Sequence, residues 1–425
     1  MSLSTRVILS LFAGLAAGIV ISAADIGVLE RLALIIEPIG TLWLNALRMT
    51  VIPLVVALLI TGAASASETA STGKLAARSL LLFIAFMTAA ATLSALLIPA
   101  ALAAFPVDAD AANALRAGAS QAAQVPEMPR LRDFITGIVP TNPFAAASDG
   151  DMLPLVVFAL AFGFAASRIT VTRREPLLGF FQAVVDTMFV IVHWILVVAP
   201  IGVFVLALGV GLRGGVDAAG ALAHYLVLLC ALATLVTLLL YPVAVFGAGI
   251  GLRRFARALA PAQVVAFSTQ SSLASLPAMI ERAQGFLRIP TRITGIVLPL
   301  AVSLFRVTSP PMNLAIVIFV AHVYGVPLGA TQIVAGIAVA VLTNFAVVGL
   351  PGQITFFTTT VPISMAMGVP VELLPVLMAV EVIPDIIRTV GNVTADVTVT
   401  AIMARWEGAM GSEAPGDAEP PRLDG

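Results

Sequence analysis

Five polar residues recur through the last apolar stretch of the chain: Glu381, Asp385, Arg388, Asn392 and Asp396. Their spacings of 4, 3, 4 and 4 residues put all five on one helical face, with Thr389 beside them. A charge at the middle of a bilayer costs about 2.5–3.5 kcal/mol on insertion scales. Such a face must therefore look into a polar cavity or neutralise itself. Asp385 and Arg388, one turn apart, suit a zwitterion that carries an extra acid group. The alternative is an internal ladder, Asp385 with Arg388 for instance, that only joins helices. Pro384 speaks against a pure ladder, since it removes a backbone hydrogen bond there.

Three further segments put polar groups into apolar surroundings. The run Phe305-Arg306-Val307-Thr308-Ser309-Pro310-Pro311 places two prolines and an arginine inside a span, which predicts a broken helix with carbonyls free to act as ligands. Arg306 there needs an anion, unless it snorkels to an interface. Ser268 to Pro277 is small and polar and reads as a hairpin tip offering hydroxyls and N–H groups to an anion, with an ordinary surface loop as the alternative. Thr343 to Gln353 reads likewise, with Gly349 and Gly352 around Pro351 allowing a flexible, gate-like tip. His193, His224 and His322 lie far apart and read as packing or interface residues.

The elements that carry these groups belong in lipid. Of 425 residues, 60% are hydrophobic and 11% charged, and mean hydropathy is +1.07; a soluble domain has about 25% charged residues. The net charge of −1 gives no argument for nucleic acid. The single cysteine, Cys230, cannot form an internal disulfide. No HExxH or His/Cys cluster stands out, and no Ser/His or Cys/His pair, so neither a metal site, a cofactor nor an enzyme is expected. The run 6–24 reads as a span rather than a signal peptide, because no A-x-A site precedes a polar start.

Apolar runs of spanning length lie near 6–24, 37–66, 79–105, 134–166, 176–210, 219–250, 293–323 and 371–405. Pieces near 257–281 and 331–366 are broken by polar, Gly and Pro residues. Lys74 and Arg78, Arg168 to Arg174, Arg253 to Arg257 and Arg282 to Arg292 mark the cytoplasmic loops. Alternate counting then places both termini in the cytoplasm and requires each broken piece to enter and leave on one side, as a re-entrant hairpin does. The expected fold is an all-α polytopic membrane protein with eight transmembrane helices and two re-entrant helical hairpins. Residues 406–425 read as a disordered tail.

These residues resemble the dicarboxylate/amino acid:cation symporter family, the proton/sodium-glutamate symporter-like homologues of glutamate transporters. The likeness runs from about residue 6 to 405. It is carried by Leu47 to Val55, Ile138-Val139-Pro140-Thr141-Asn142-Pro143-Phe144 with Met152-Leu153-Pro154, and Ala199 to Phe204. It is carried also by Ser271-Ser272 to Pro277, Gly349-Leu350-Pro351-Gly352, and Asp385-x-x-Arg388-Thr389-x-x-Asn392-Val393-Thr394-x-Asp396. The resemblance implies an inner-membrane homotrimer working as an elevator. Residues 1–74 and 107–215 would form the scaffold, and 75–106 and 216–405 the moving transport domain.

The resemblance also implies a solute site. Ser271 and Ser272, with the hairpin backbone and Asn392, would hold a main-chain carboxylate. Asp385 would accept an ammonium, and Arg388 would grip a side-chain carboxylate in bidentate fashion. Ser309 and Thr389 would assist, with Leu350 and Gly352 at the second tip. Glutamate or aspartate is the expected solute; a plain dicarboxylate, which leaves Asp385 without an ammonium, comes second. Phe305, Arg306, Val307, Thr308 and Ser309 stand where the family carries the Asn-Met-Asp-Gly-Thr of its sodium sites. Phenyl and isopropyl groups supply no oxygen to sodium, so Arg306 is expected to reach the retained sodium ligand Asp396 as a tethered cation, with Glu381 as the rival partner. Sodium coupling is then doubtful. Proton coupling through Glu381 or Asp385 and ion-free exchange both stay open, and a non-transporting solute sensor is the reading from another class.

Overall fold

Runs of apolar residues without strand periodicity become helices, and among the described residues no strand occurs. The structure is a computed structural model that describes residues 3–24, 27–71, 73–118, 136–344 and 352–409. Leu350, and the greater part of the expected 406–425 tail, lie outside these.

Helix α1 (Leu3–Ala24) packs along the first half of the long helix α8 (Ala199–Ala248). The approach is close enough that a Cβ on Gly211 would sit 2.3 Å from the Leu15 carbonyl. Helix α2 (Gly27–Ser71) packs against α6 (Met152–Ala166) and α7 (Val171–Val197). Helix α3 (Lys74–Ala104) lies instead along α12 (Ser309–Tyr324). Short helices α4 (Ala109–Gly118) and α5 (Pro143–Asp149) lie between spans. Asn142 caps α5 by accepting from the Phe144 and Ala145 N–H groups at 2.9 and 3.3 Å.

The second half of the chain supplies α9 (Leu252–Thr269), α10 (Ser272–Glu281), α11 (Thr291–Leu304), α13 (Ala330–Asn344), α14 (Gly352–Ala366), α15 (Leu374–Val380) and α16 (Val382–Trp406). Helices α9 and α10 pack on each other, as do α13 and α14. At the centre, α12 and α16 are buried along most of their length. A helix buried all round reads apolar all round, and α12 does; α16 departs from this at the polar face. The outer faces carry Leu81 at 69% exposure and Phe246 at 81%, as lipid contact requires.

Five helical stretches among the described residues are long and apolar enough to cross a membrane: Gly27–Ser65, Lys74–Ala104, Val171–Val197, Asp217–Ala248 and Thr291–Tyr324. Three expected spans are corrected. The run 176–210 breaks at Val198, where Ala199-Pro200 starts a new helix. The run 134–166 is split by Gly150, which caps α5 at φ 77. The run 371–405 is interrupted at Glu381, between α15 and α16. Helix α8 also bends at Gly215, whose φ of 58 and ψ of −146 are not helical.

Candidate solute-binding site

The site starts at the break between α11 and α12. Phe305 is extended, at φ −110 and ψ 104. Its ring stacks on Phe83 of α3 with centroids 4.6 Å apart and meets Phe86 edge-on at 6.2 Å. Pro310 and Pro311 do not interrupt a helix but sit in the first turn of α12, where a missing N–H costs nothing. The Arg306 carbonyl, expected to be a free ligand, accepts the Ser309 N–H at 3.0 Å.

Thr308 ties this break to α16. Its N–H donates to Asn392 Oδ1 at 3.1 Å. Its hydroxyl, with one proton to give, stands 2.6 Å from the same oxygen and 2.8 Å from the Arg388 carbonyl. The oxygen of Asn392 is thereby committed, which leaves its amide donors to serve an anion. The lining role expected of Asn392 thus falls to its NH2 group.

The tip between α9 and α10 turns on Gln270, whose φ of 52 and ψ of 32 reverse the chain. Ser271 caps α10, its hydroxyl accepting the Ala274 N–H at 3.2 Å. Helix α9 is held to α16 by Gln263, which donates to Thr394 Oγ1 at 2.8 Å. On the other side, Asn344 ends α13 beside the break, 3.4 Å from the Leu304 carbonyl.

Together these elements line a polar cleft of about 430 Å³, counting its open mouth. Gln270, Ser271, Ser272 and Leu273 line it from the tip, and Arg306 and Ser309 from the break. Thr355 of α14 and Asp385, Arg388, Thr389 and Asn392 of α16 complete the wall. Eight of the residues nominated from sequence, Ser271, Ser272, Arg306, Ser309, Asp385, Arg388, Thr389 and Asn392, therefore meet across segments more than a hundred residues apart. Gly352 opens α14.

Two nominated acids, Glu381 and Asp396, are not among the residues that line the cleft. Glu381, 1% exposed, pairs with Arg388 and accepts the Tyr225 hydroxyl at 3.1 Å. Asp385 stands 3.7 Å from Arg388 Nε, an ionic contact too long for a hydrogen bond, and Nε is buried without an acceptor. Thr389 donates its hydroxyl to the Asp385 carbonyl at 2.8 Å, leaving its oxygen lone pairs for a donor.

Asp396 is fully buried, and neither carboxylate oxygen has a hydrogen-bond partner. The pair expected between Arg306 and Asp396 is therefore not formed, and the rival pair with Glu381 is not formed either, because Glu381 is taken by Arg388. Arg306 faces the cleft instead, within the electrostatic reach of Asp385 and Asp396. The histidines stay outside the cleft. Tyr225 and Thr355 carry no signal in the sequence, and Thr308 stands out there only as a member of the 305–311 run. Tyr225 is 156 residues from Glu381, and nothing local in its apolar span signals the contact.

Among relatives, a proton/sodium-glutamate symport protein of Bacillus caldotenax is 28% identical over 424 residues, 95% of either chain. A proton/glutamate-aspartate symporter of Escherichia coli is 27% identical, covering 88% of this chain and 85% of its own. A C4-dicarboxylate transport protein of Rhizobium johnstonii is 25% identical, covering 88% and 84%. These relatives are transport proteins, not enzymes. Since the family match extends from residue 3 to residue 406, the chain belongs to the sodium:dicarboxylate symporter family.

Proposed function

We propose that this chain carries acidic amino acids such as glutamate or aspartate across the inner membrane. The observation that carries the reading is the presence of Asp385 and Arg388, one carboxylate and one guanidinium, in a single cleft beneath the N-terminus of α10. Asp385 accepts the ammonium, Arg388 takes the side-chain carboxylate, and Ser271, Ser272 and the Asn392 amide serve the main-chain carboxylate. A binding screen of L-glutamate, L-aspartate, neutral amino acids and succinate on the purified protein tests this. Asp385→Asn abolishes amino-acid binding and spares succinate; equal loss of both removes the ammonium role of Asp385.

A C4-dicarboxylate is the second reading. It is favoured by the cleft's two guanidiniums, Arg306 and Arg388, against one lining carboxylate. A non-transporting sensor would bind solute in reconstituted vesicles without flux.

The proposed motion is an elevator, in a homotrimer with both termini cytoplasmic. Helices α1, α2, α6, α7 and the first half of α8 form the fixed scaffold. Helix α3, the second half of α8 and α9 to α16 form the moving block. Packing of α2 on α6 and α7, and of α16 on α8, α9 and α11, is consistent with that division.

Sodium is not the driving ion in this proposal. Phe305 is sealed in an aromatic stack and Val307 is buried, and neither side chain offers an oxygen ligand. The positive charge of Arg306 stands nearby in the field of Asp396. Uptake into proteoliposomes with and without a sodium gradient decides this, and a strict sodium requirement rules it out. Proton symport or exchange remains as the drive; a pH gradient imposed on sodium-free vesicles stimulates uptake only under symport.

A further inference from the structure

We infer that Arg306 is a second solute-gripping residue, and that with Arg388 it sets the cleft's preference for solutes carrying two carboxylates. This rests on the cleft being the solute site proposed above and assigns to Arg306 a contact with the solute rather than with Asp396.

Three charged side chains line the cleft: Arg306, Asp385 and Arg388. Arg388 is engaged by Glu381 through one terminal nitrogen and stands beside Asp385. Arg306 makes no ion pair with any acid among the described residues. The backbone around Arg306 is fixed, since its carbonyl holds Ser309 and the next residue but one is tied to Asn392. The guanidinium is therefore presented into the cleft from a rigid break, with its charge opposed only at longer range by Asp385 and Asp396.

An arriving carboxylate meets two unequal cations. At Arg388 it must share the guanidinium with Glu381. At Arg306 it displaces no protein carboxylate, and the planar fork offers two parallel donors. One carboxylate on each guanidinium fits a short dianion. Asp385, which lines the same cleft, accepts an ammonium where the solute has one.

The test compares affinities of succinate and monomethyl succinate, and of L-aspartate and its β-methyl ester, in wild type and Arg306→Met. A charge-assisted hydrogen-bond contact is worth about 1.5–3 kcal/mol, roughly 10- to 100-fold in affinity. The inference expects R306M to lose dianion affinity by that factor and to bind the monoesters nearly as wild type does. Unchanged dianion preference overturns it. So does sodium restoring wild-type affinity to R306M, which would make Arg306 a stand-in for the cation. Should the methionine variant fail to fold, Arg306→Gln gives the same reading. A wild type that binds no acidic solute defeats the proposed function itself, whereas a wild type that binds while R306M matches it defeats only the role of Arg306.

Discussion

Glu381 holds Arg388 through one carboxylate oxygen and receives the Tyr225 hydroxyl, 3.1 Å away, through the other. Both partners of the ion pair are buried, at 6% and 1% side-chain exposure. Glu381 sits at the junction of α15 and α16, as the N-cap residue of the helix that carries Arg388. Burying either charge alone would be far costlier than burying the two together.

Glu381→Gln keeps a group able to accept from Tyr225 but drops the charge that balances Arg388. The solute-free protein loses about 3–5 kcal/mol, the cost of breaking a buried pair. A bound dicarboxylate supplies the missing charge. The rise in melting temperature on adding solute is therefore larger in the variant than in wild type. Equal rises in the two proteins would show that Glu381 does not balance Arg388.

Thr308→Val removes one hydroxyl and leaves shape and burial nearly unchanged. Asn392 Oδ1 keeps the Thr308 N–H, at 3.1 Å, but loses the hydroxyl at 2.6 Å. The loss is about 1–3 kcal/mol, that of a buried acceptor left under-satisfied. Solute affinity falls with it, because the Asn392 amide is oriented by that bond. Calorimetric titration with the best solute checks this, and an affinity equal to wild type removes Thr308 from the positioning role.

Phe305→Ala empties the aromatic stack on Phe83, whose centroid is 4.6 Å away. A fully buried phenyl truncated to methyl costs about 3–5 kcal/mol. Thermal unfolding in detergent is the readout. A change under about 1 kcal/mol would mean that the surrounding helices close the void, which dense interiors rarely allow.

Gly391→Ala acts by crowding. A Cβ there would stand 2.5 Å from both Thr237 Oγ1 and Thr308 Cγ2. Helix α16 must move off α8 and off the break, at a cost of about 1–3 kcal/mol. Because Thr308 and Asn392 are linked, stability and solute affinity fall together. Loss of stability with affinity intact would separate the packing at Gly391 from the site.

The polar face of the last helix was legible because its spacing is a local property. Glu381, Asp385, Arg388, Asn392 and Asp396 recur at helical intervals in an apolar run, and a charge there needs a polar destination. The turn at Gln270 and the break at 305–308 were legible for the same reason, as polar or Pro-rich interruptions of apolar text; most of the second expected tip, 343–353, lies outside the described residues. The exact ends of spans were harder to read. Apolar periodicity continues across Val198 and Glu381, and only backbone geometry records that the helix stops there.

From residue types and order alone followed an apolar helical chain, most of the polar groups that line the cleft, and the absence of side-chain oxygens at Phe305 and Val307. Those are consequences of composition, spacing and side-chain chemistry. Which acid each arginine faces was decided only in three dimensions. Arg306 and Arg388 both sit within reach of several carboxylates in principle. The break before α16 turns Glu381 to Arg388, while the anchoring of Ser309 and Thr308 aims Arg306 into the cleft and leaves Asp396 unbonded. Pairing depends on distances between groups far apart in the chain, and those distances exist only once the helices have packed.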